Sequence, residues 1–373
     1  MDVEARLVRG VMLKPYRIPK ILVLLCGISL CCGCHLPYIV HLGAGEFRML
    51  RGAVPVDQAL KEESLTAEQK ERLTLVGDIK AFGENSLGLS KTQNYHTAYL
   101  SDSQAPIYLV SASPRDRLSR VTWWFPIAGR MPYLGFFDLA KAEAEKGKLV
   151  KKELDVNLGR AAAYSTLGWF KDPITLNLIE GSTVDLVDTI LHEMTHTTLY
   201  VKGQGEFNEG LAVLVGKVGA YQFLRRTYGP THVFTTEAAD AIHDERLFAS
   251  FIADLFQALE QLYDSDLPYE EKMTRRKGAF DDALEKFALL KDRLRTKRFD
   301  GFGSTGLNNA YLMSIGLYHR HFNLFEAVLE QQNNSIRNTI FFFQELAAEK
   351  GDILRSTTEW LRNRSGARSI KLR

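Results

Sequence analysis

The sequence predicts an α+β fold that is predominantly α-helical, with one small β-sheet and a long-helix C-terminal region. Three observations carry this. Two short runs rich in β-branched and aromatic residues lie at 105–112 and 121–128. From Ser182 onward apolar residues recur at helical spacing. The composition is that of a globular chain, 45% apolar and 25% charged over 373 residues. With 47 basic against 45 acidic residues the net charge is +2. That balance argues against a nucleic-acid partner, and the Lys/Arg-rich pieces at 274–277 and 291–298 read as solvated helix faces.

The four cysteines, Cys26, Cys31, Cys32 and Cys34, all fall near the N-terminus. The body therefore has neither a disulfide framework nor a Cys-ligated metal site. Arg17 and Lys20 precede an apolar run, Ile21 to Leu30. It is shorter than the roughly 20 residues a membrane span needs, and with its basic flank it reads as an export signal. Met12 would start a signal of more usual length. Leu30-Cys31-Cys32-Gly33-Cys34 resembles a bacterial lipobox, with Cys34 as the lipidated residue. Cys31 stands where Leu is usual. An uncleaved apolar anchor and plain secretion are the alternatives. Each places the body outside the cytoplasm, and lipidation puts it in the cell envelope at the periplasmic face of a membrane. The expected division is 1–34 for the signal, 35–230 for a catalytic domain and 231–373 for a helical C-terminal region packing on it.

Residues 35–75 read as amphipathic helices broken at Pro55, with Thr66 capping the second. The runs at 105–112 and 121–128 are expected to pair with each other. A helix follows over 136–152, then edge strands at 154–158 and 161–164. Val184, Val187, Ile190 and Leu191 mark a helix from Ser182, closed by Gly203 and Gly205. The next runs from Phe207 to Tyr228, and long helical patterns cover 235–265, 268–296 and 306–350. Trp123, Trp124 and Trp169 are expected in the core.

The chemistry lies in His192-Glu193-Met194-Thr195-His196. Histidines at i and i+4 share one helix face, so both imidazoles reach one metal ion while Glu193 points at its open side. Gly203 and Gly205 turn the chain into a second, antiparallel helix whose first turn carries Glu209. At about 1.5 Å per residue, that turn returns beside the last turns of the first helix. Glu209 is thus the expected third ligand and Glu206 its rival. Two His, one Glu and a water make a catalytic zinc set, with one Zn2+ per chain. Glu193 would be the general base. Asp188, Asn208 and Glu206 are candidates to orient a ligand His. His319 and His321, at i and i+2, cannot share a helix face.

Several longer words support a resemblance: Trp124-Phe125-Pro126-Ile127-Ala128-Gly129, Pro132 to Phe137, Ala163 to Pro173, His192 to His196, Phe207 to Ala212, and Leu307 to Ala310. From about 35 to 350 the chain resembles a predicted bacterial aminopeptidase family of membrane-tethered zinc peptidases. Asn208-Glu209-Gly210-Leu211-Ala212 is similar to the segment carrying the third ligand in Glu-zincin peptidases, although Val213 stands where those often have Asp. The resemblance implies a zincin-like metal helix, a peptide substrate and hydrolysis, possible exopeptidase action resting on the family label alone. The Gly-x-Met-Glu-Asn word of Glu-zincin aminopeptidases is absent. Tyr164 is the first candidate to stabilise the oxyanion and Tyr311 the second. Tyr133, Gly135 and Phe136 are candidates to line the substrate backbone, and Asn308 and Asn309 are further substrate contacts. An amidohydrolase on a non-peptide envelope substrate and an inactive zinc-binding scaffold are the alternative readings.

Overall fold

A computed structural model describes residues 49–100, 108–125, 129–160 and 172–371. The chain divides into two units, Met1–Arg48 and Met49–Arg373, and all described residues belong to the second. Cys34 and the signal segment lie outside the described residues, as do Tyr164 and Trp169.

Strand β1 (Val54–Pro55) leads into a short helix, α1 (Val56–Ala59). Pro55 has no N–H to donate, which suits an edge strand. Thr66 caps α2 (Ala67–Phe82) in a full capping box with Gln69. This helix widens into a π-turn, Gly83–Leu87, closed by left-handed Gly88. A Cβ on Gly83 would meet Met194 Cε at 3.0 Å and Leu191 Cδ2 at 3.1 Å, so this turn sits directly on the helix that carries the histidine motif. Strand β2 (Thr97–Tyr99) pairs antiparallel with β1 and, later in the chain, parallel with β8 (Ile174–Thr175).

The second sheet uses β3 (Tyr108–Ser113), β6 (Leu134–Phe136) and β7 (Asp155–Arg160), in the order β6-β3-β7 and antiparallel throughout. The expected pairing of 105–112 with 121–128 does not occur. β7 pairs along all of β3 and β6 takes its other edge over residues 108–110, while β4 (Trp123–Phe125) pairs with β5 (Gly129–Met131) as a separate ribbon. Among the described residues, a backbone hydrogen bond from Val121 N–H to Ala112 C=O, 2.9 Å, joins the two runs. Trp124, on the outer face of that ribbon, is 58% exposed instead of being a core residue. Trp123, on the other face, packs with the second sheet. Helix α3 (Leu139–Val150), capped by Asp138, covers this sheet by packing Ala142 and Leu149 against Val110 and Ala112.

From here the protein is helical: α4 (Leu176–Glu180), α5 (Thr183–Thr198), α6 (Gly205–Tyr228), α7 (Val233–Asp264) and α8 (Tyr269–Lys291). The turn between α6 and α7 lies inside the second unit. The pattern at 306–350 is not one helix but three: α9 (Asn309–His319), α10 (Phe322–Gln331) and α11 (Ile336–Ala348). Polar turn residues divide the last two. Asn333 and Asn334 take left-handed backbone at φ 58° and 57°, which Asn tolerates, and Ser335 then caps α11. A further helix, α12 (Ile353–Lys371), ends the described chain. No helix among the described residues is long and apolar enough to cross a membrane. The architecture is α+β and predominantly helical.

Helix α6 is buried on nearly every side, as its run Leu211-Ala212-Val213-Leu214-Val215 demands. Phe207 at its start meets Phe325 and Phe343 at 6.0 and 5.4 Å, tying α10 and α11 to the core. A second aromatic cluster, Phe248, Phe287, Phe299 and Phe302, fills the space between α7, α8 and α9.

Candidate metal centre

Helix α5 begins where Ser182 accepts the Asp185 N–H. Val184, Val187, Ile190, Leu191 and Met194 are buried and fix its rotation. That rotation aims His192 and His196 together, with 3.2 Å between their Nε2 atoms. The chain then turns through left-handed Gly203. Buried Asn208 closes this turn by a reciprocal pair with Val201: it accepts the Val201 N–H at 2.8 Å and donates to its C=O at 2.9 Å. Asn208 therefore holds the hairpin and is not a partner of a ligand His. The hairpin brings Glu209, in the second turn of α6, back to the histidines. Its Oε2 lies 3.3 Å from His192 Nε2 and 3.4 Å from His196 Nε2.

Glu206 goes elsewhere. Its carboxylate pairs with Arg120 and His321, both at 3.0 Å. Burial would raise its pKa, but His321 and Arg120 outweigh that and lower it from 4.5 to about 2. Arg120 also donates to the Met313 C=O, so Glu206 ties the loop after β3 to α9.

Three donor atoms thus converge in a triangle with edges of 3.2, 3.3 and 3.4 Å. Tetrahedral coordination with bonds of about 2.0–2.1 Å requires ligand–ligand separations of roughly 3.3–3.4 Å. Imidazole and carboxylate are donors that suit zinc. Among the described residues these are the His/Cys/Asp/Glu side chains placed to hold a metal ion. Oε2 of Glu193 and Nδ1 of His196 are buried with no hydrogen-bond partner. Burial opposes protonation of His192, yet the Glu209 hydrogen bond and the charges of Glu193, Glu209 and Asp188 raise its pKa above 6.5. Burial would likewise raise Glu209, but the hydrogen bonds of both histidines lower it to about 2. The surroundings favour positive charge between these groups, which a divalent cation supplies.

Tyrosines ring the centre, and the sequence argument named none of these three. Tyr318, on α9, stacks on His192 with ring centroids 6.3 Å apart at 28°. It is 38% exposed. Desolvation and the charges of Glu209, Tyr133 and Glu193 hold its hydroxyl well above the usual value. Tyr200 packs edge-on to His196 at 6.2 Å. Tyr95 is buried beside Glu193 and takes left-handed backbone at φ 64°, its N–H donating to the Asp172 C=O. Tyr200 lies past the end of α5, so helical spacing from His196 does not reach it. No local signal links Tyr318 or Tyr95 to the motif.

The other sequence candidates separate. Tyr133 leads into β6 and is near enough for its charge to act on the Tyr318 hydroxyl. Gly135 and Phe136 are paired in β6 with Leu109 and Tyr108. Asn308 caps α9 and donates to the Val156 C=O at 3.2 Å. Asn309 is fully buried, accepts the Tyr263 hydroxyl and donates to the carbonyls of Pro114, Arg115 and Arg117. Its valences are spent on the loop after β3, so it is a structural residue where a substrate contact was expected. Tyr311 is turned into the Phe302 cluster and bonds Gly303, which leaves it no role at the histidines.

A predominantly helical α+β protein whose helical hairpin presents two histidines and a glutamate as a candidate metal-binding triad is the class defined so far. The chain belongs to the family described as putative aminopeptidase, whose pattern matches residues 37–355. Membership supports a peptidase-like function. Neither a curated protein nor a solved structure matches the chain.

Proposed function

We propose that the chain is a zinc-dependent metallopeptidase in which His192, His196 and Glu209 hold the ion and Glu193 is the general base. The observation that carries this is the donor triangle together with Glu193, next to His192 in the chain, whose buried Oε2 has no hydrogen-bond partner. When bound, zinc supplies Lewis acidity, lowering the pKa of a water and polarising a carbonyl. Glu193 Oε2, with no competing hydrogen bond, accepts a proton from the attacking water and later delivers it to the leaving amine. Tyr318, stacked on His192 at the cleft, donates its hydroxyl hydrogen to the developing oxyanion. Tyr133 and β6 line the cleft for the substrate backbone. Aminopeptidase action is the finer reading and rests on the family name.

Glu193→Gln tests the mechanism. Zinc stoichiometry stays at one per chain while peptide hydrolysis falls by about 10²–10⁴. Retained hydrolysis removes Glu193 as base. A wild-type chain that holds zinc but cleaves nothing supports a scaffold, and one that attacks only non-peptide envelope material supports an amidohydrolase. Mass spectrometry of products from a peptide mixture separates terminal trimming from internal cuts.

We also place the protein at the periplasmic face of a membrane, tethered through Cys34, from the basic flank, apolar run and lipobox-like end at 17–34. Cys34→Ala should move it from the membrane to the soluble fraction. A variant that stays membrane-bound rules out the lipid as the tether.

A further inference from the structure

A second cavity, of about 310 Å³, lies between α6, α7, α9 and the loop at 298–302. That size is at the low end of small-molecule pockets, which run from roughly 300 to 1,000 Å³. It suits a single amino acid better than a peptide. The triad residues do not line it.

One wall is apolar: Phe248, Phe299, Phe302 and Ile315. The other is ionic. Glu245 is fully buried, its Oε1 pairs with His319 Nδ1 at 2.5 Å, and its Oε2 has no hydrogen-bond partner. The nearest cation, Lys217 Nζ, is 3.5 Å from that oxygen and 3.4 Å from Asp188 Oδ2. Lys217 is itself buried, and at those lengths it satisfies neither carboxylate well. Arg298, 25% exposed at the mouth, pairs with Asp185. A buried carboxylate oxygen without a donor is costly and calls for a partner. The cavity therefore presents a buried carboxylate oxygen whose one cation stands at the long limit of an ion pair, an ammonium with a donor to spare, and an aromatic wall.

We propose that this cavity binds a free apolar α-amino acid as its zwitterion. The ligand's ammonium donates to Glu245 Oε2, its carboxylate accepts from Lys217 and Arg298, and its side chain packs among Phe248, Phe302 and Ile315. The site is separate from the metal centre and does not depend on the peptidase reading. Where the chain acts as an aminopeptidase, the ligand is a product of its reaction.

Isothermal titration of the metal-loaded full chain with three probes tests this: L-phenylalanine, phenethylamine (no carboxylate) and 3-phenylpropionate (no ammonium). Phenylalanine should bind saturably and each half-ligand roughly tenfold or more weakly, since each loses a charge-assisted hydrogen bond. Glu245→Gln should weaken phenylalanine by about tenfold and leave 3-phenylpropionate unchanged. Ile315→Trp should abolish binding by filling the cavity. It leaves the ionic wall alone, so it decides the matter even where Glu245→Gln fails to fold. Binding should survive removal of the metal by a chelator. No saturable binding, equal affinity for all three probes, unchanged affinity in Ile315→Trp, or loss of binding on chelation would each overturn the proposal.

Discussion

Gly216 and Asp188 face each other across the α5–α6 contact with no room for a side chain between them. A Cβ on Gly216 would lie 2.3 Å from Asp188 Oδ1, 2.8 Å from its carbonyl oxygen and 3.3 Å from the Cβ of His192. Gly219, one turn on, would meet Leu191 Cδ1 at 2.8 Å. These two glycines let the helices approach closely enough for Glu209 to reach both histidines.

Gly216→Ala should push α6 away from α5. Overpacking of this kind costs about 1–3 kcal/mol. We expect a lower Tm and markedly weaker metal affinity, measured by thermal unfolding and competition with a chromogenic chelator. Wild-type metal affinity would show that the helix spacing does not set the triad.

The two glutamates of α6 should separate cleanly. Glu209→Ala removes a donor of the triangle and should release the metal. Glu206→Ala leaves all three donors and should keep the metal, at a cost in stability, because Arg120 and His321 lose their shared partner. Metal content after desalting reads the difference. A Glu206→Ala chain that loses its metal while Glu209→Ala keeps it would exchange their roles.

Glu206 also sets an acid limit. Its folded pKa, about 2, is below its ordinary 4.5, so its stabilisation is fully present above pH 4.5 and is lost as pH falls toward 2. At about 1.36 kcal/mol per unit, that amounts to on the order of 3 kcal/mol. Glu206→Gln should be less stable than wild type at pH 7, and the gap should close between about pH 5 and 2. Denaturant titrations across that range check it. A gap that stays constant with pH would count against the Glu206 pairing as its source.

Tyr318→Phe removes one hydroxyl and leaves the stacking surface against His192. If that hydroxyl serves the transition state, kcat should fall by about 10²-fold or more with KM nearly unchanged. A rise in KM at constant kcat would reassign Tyr318 to ground-state substrate binding.

What the sequence made legible follows the range of the forces involved. The i, i+4 spacing of His192 and His196, the Thr66 cap and the apolar stripe of α5 are local properties, governed within one or two helical turns. Glu209 could be placed near the histidines because a short turn between antiparallel helices leaves few geometries. Strand partnership was not legible. Residues 121–125 have strand composition, but whether β3 accepts them depends on β6 and β7, distant in the chain, competing for its two edges. The same limit explains the 306–350 pattern, where apolar periodicity continues but Asn333 and Asn334 break the backbone.

By itself, then, the sequence determined the two helices of the metal hairpin, the Thr66 cap, the histidine pair and the candidate ligand set, since these depend on periodicity and on neighbours a few residues apart. Only the tertiary structure decided that Glu206 belongs to Arg120 and His321, that Asn309 is consumed by the loop after β3, and that Tyr318 lies on His192. Those outcomes depend on which faces of distant elements bury against one another. That choice minimises exposed apolar surface and unsatisfied polar groups over the whole fold, and no short window of sequence contains it.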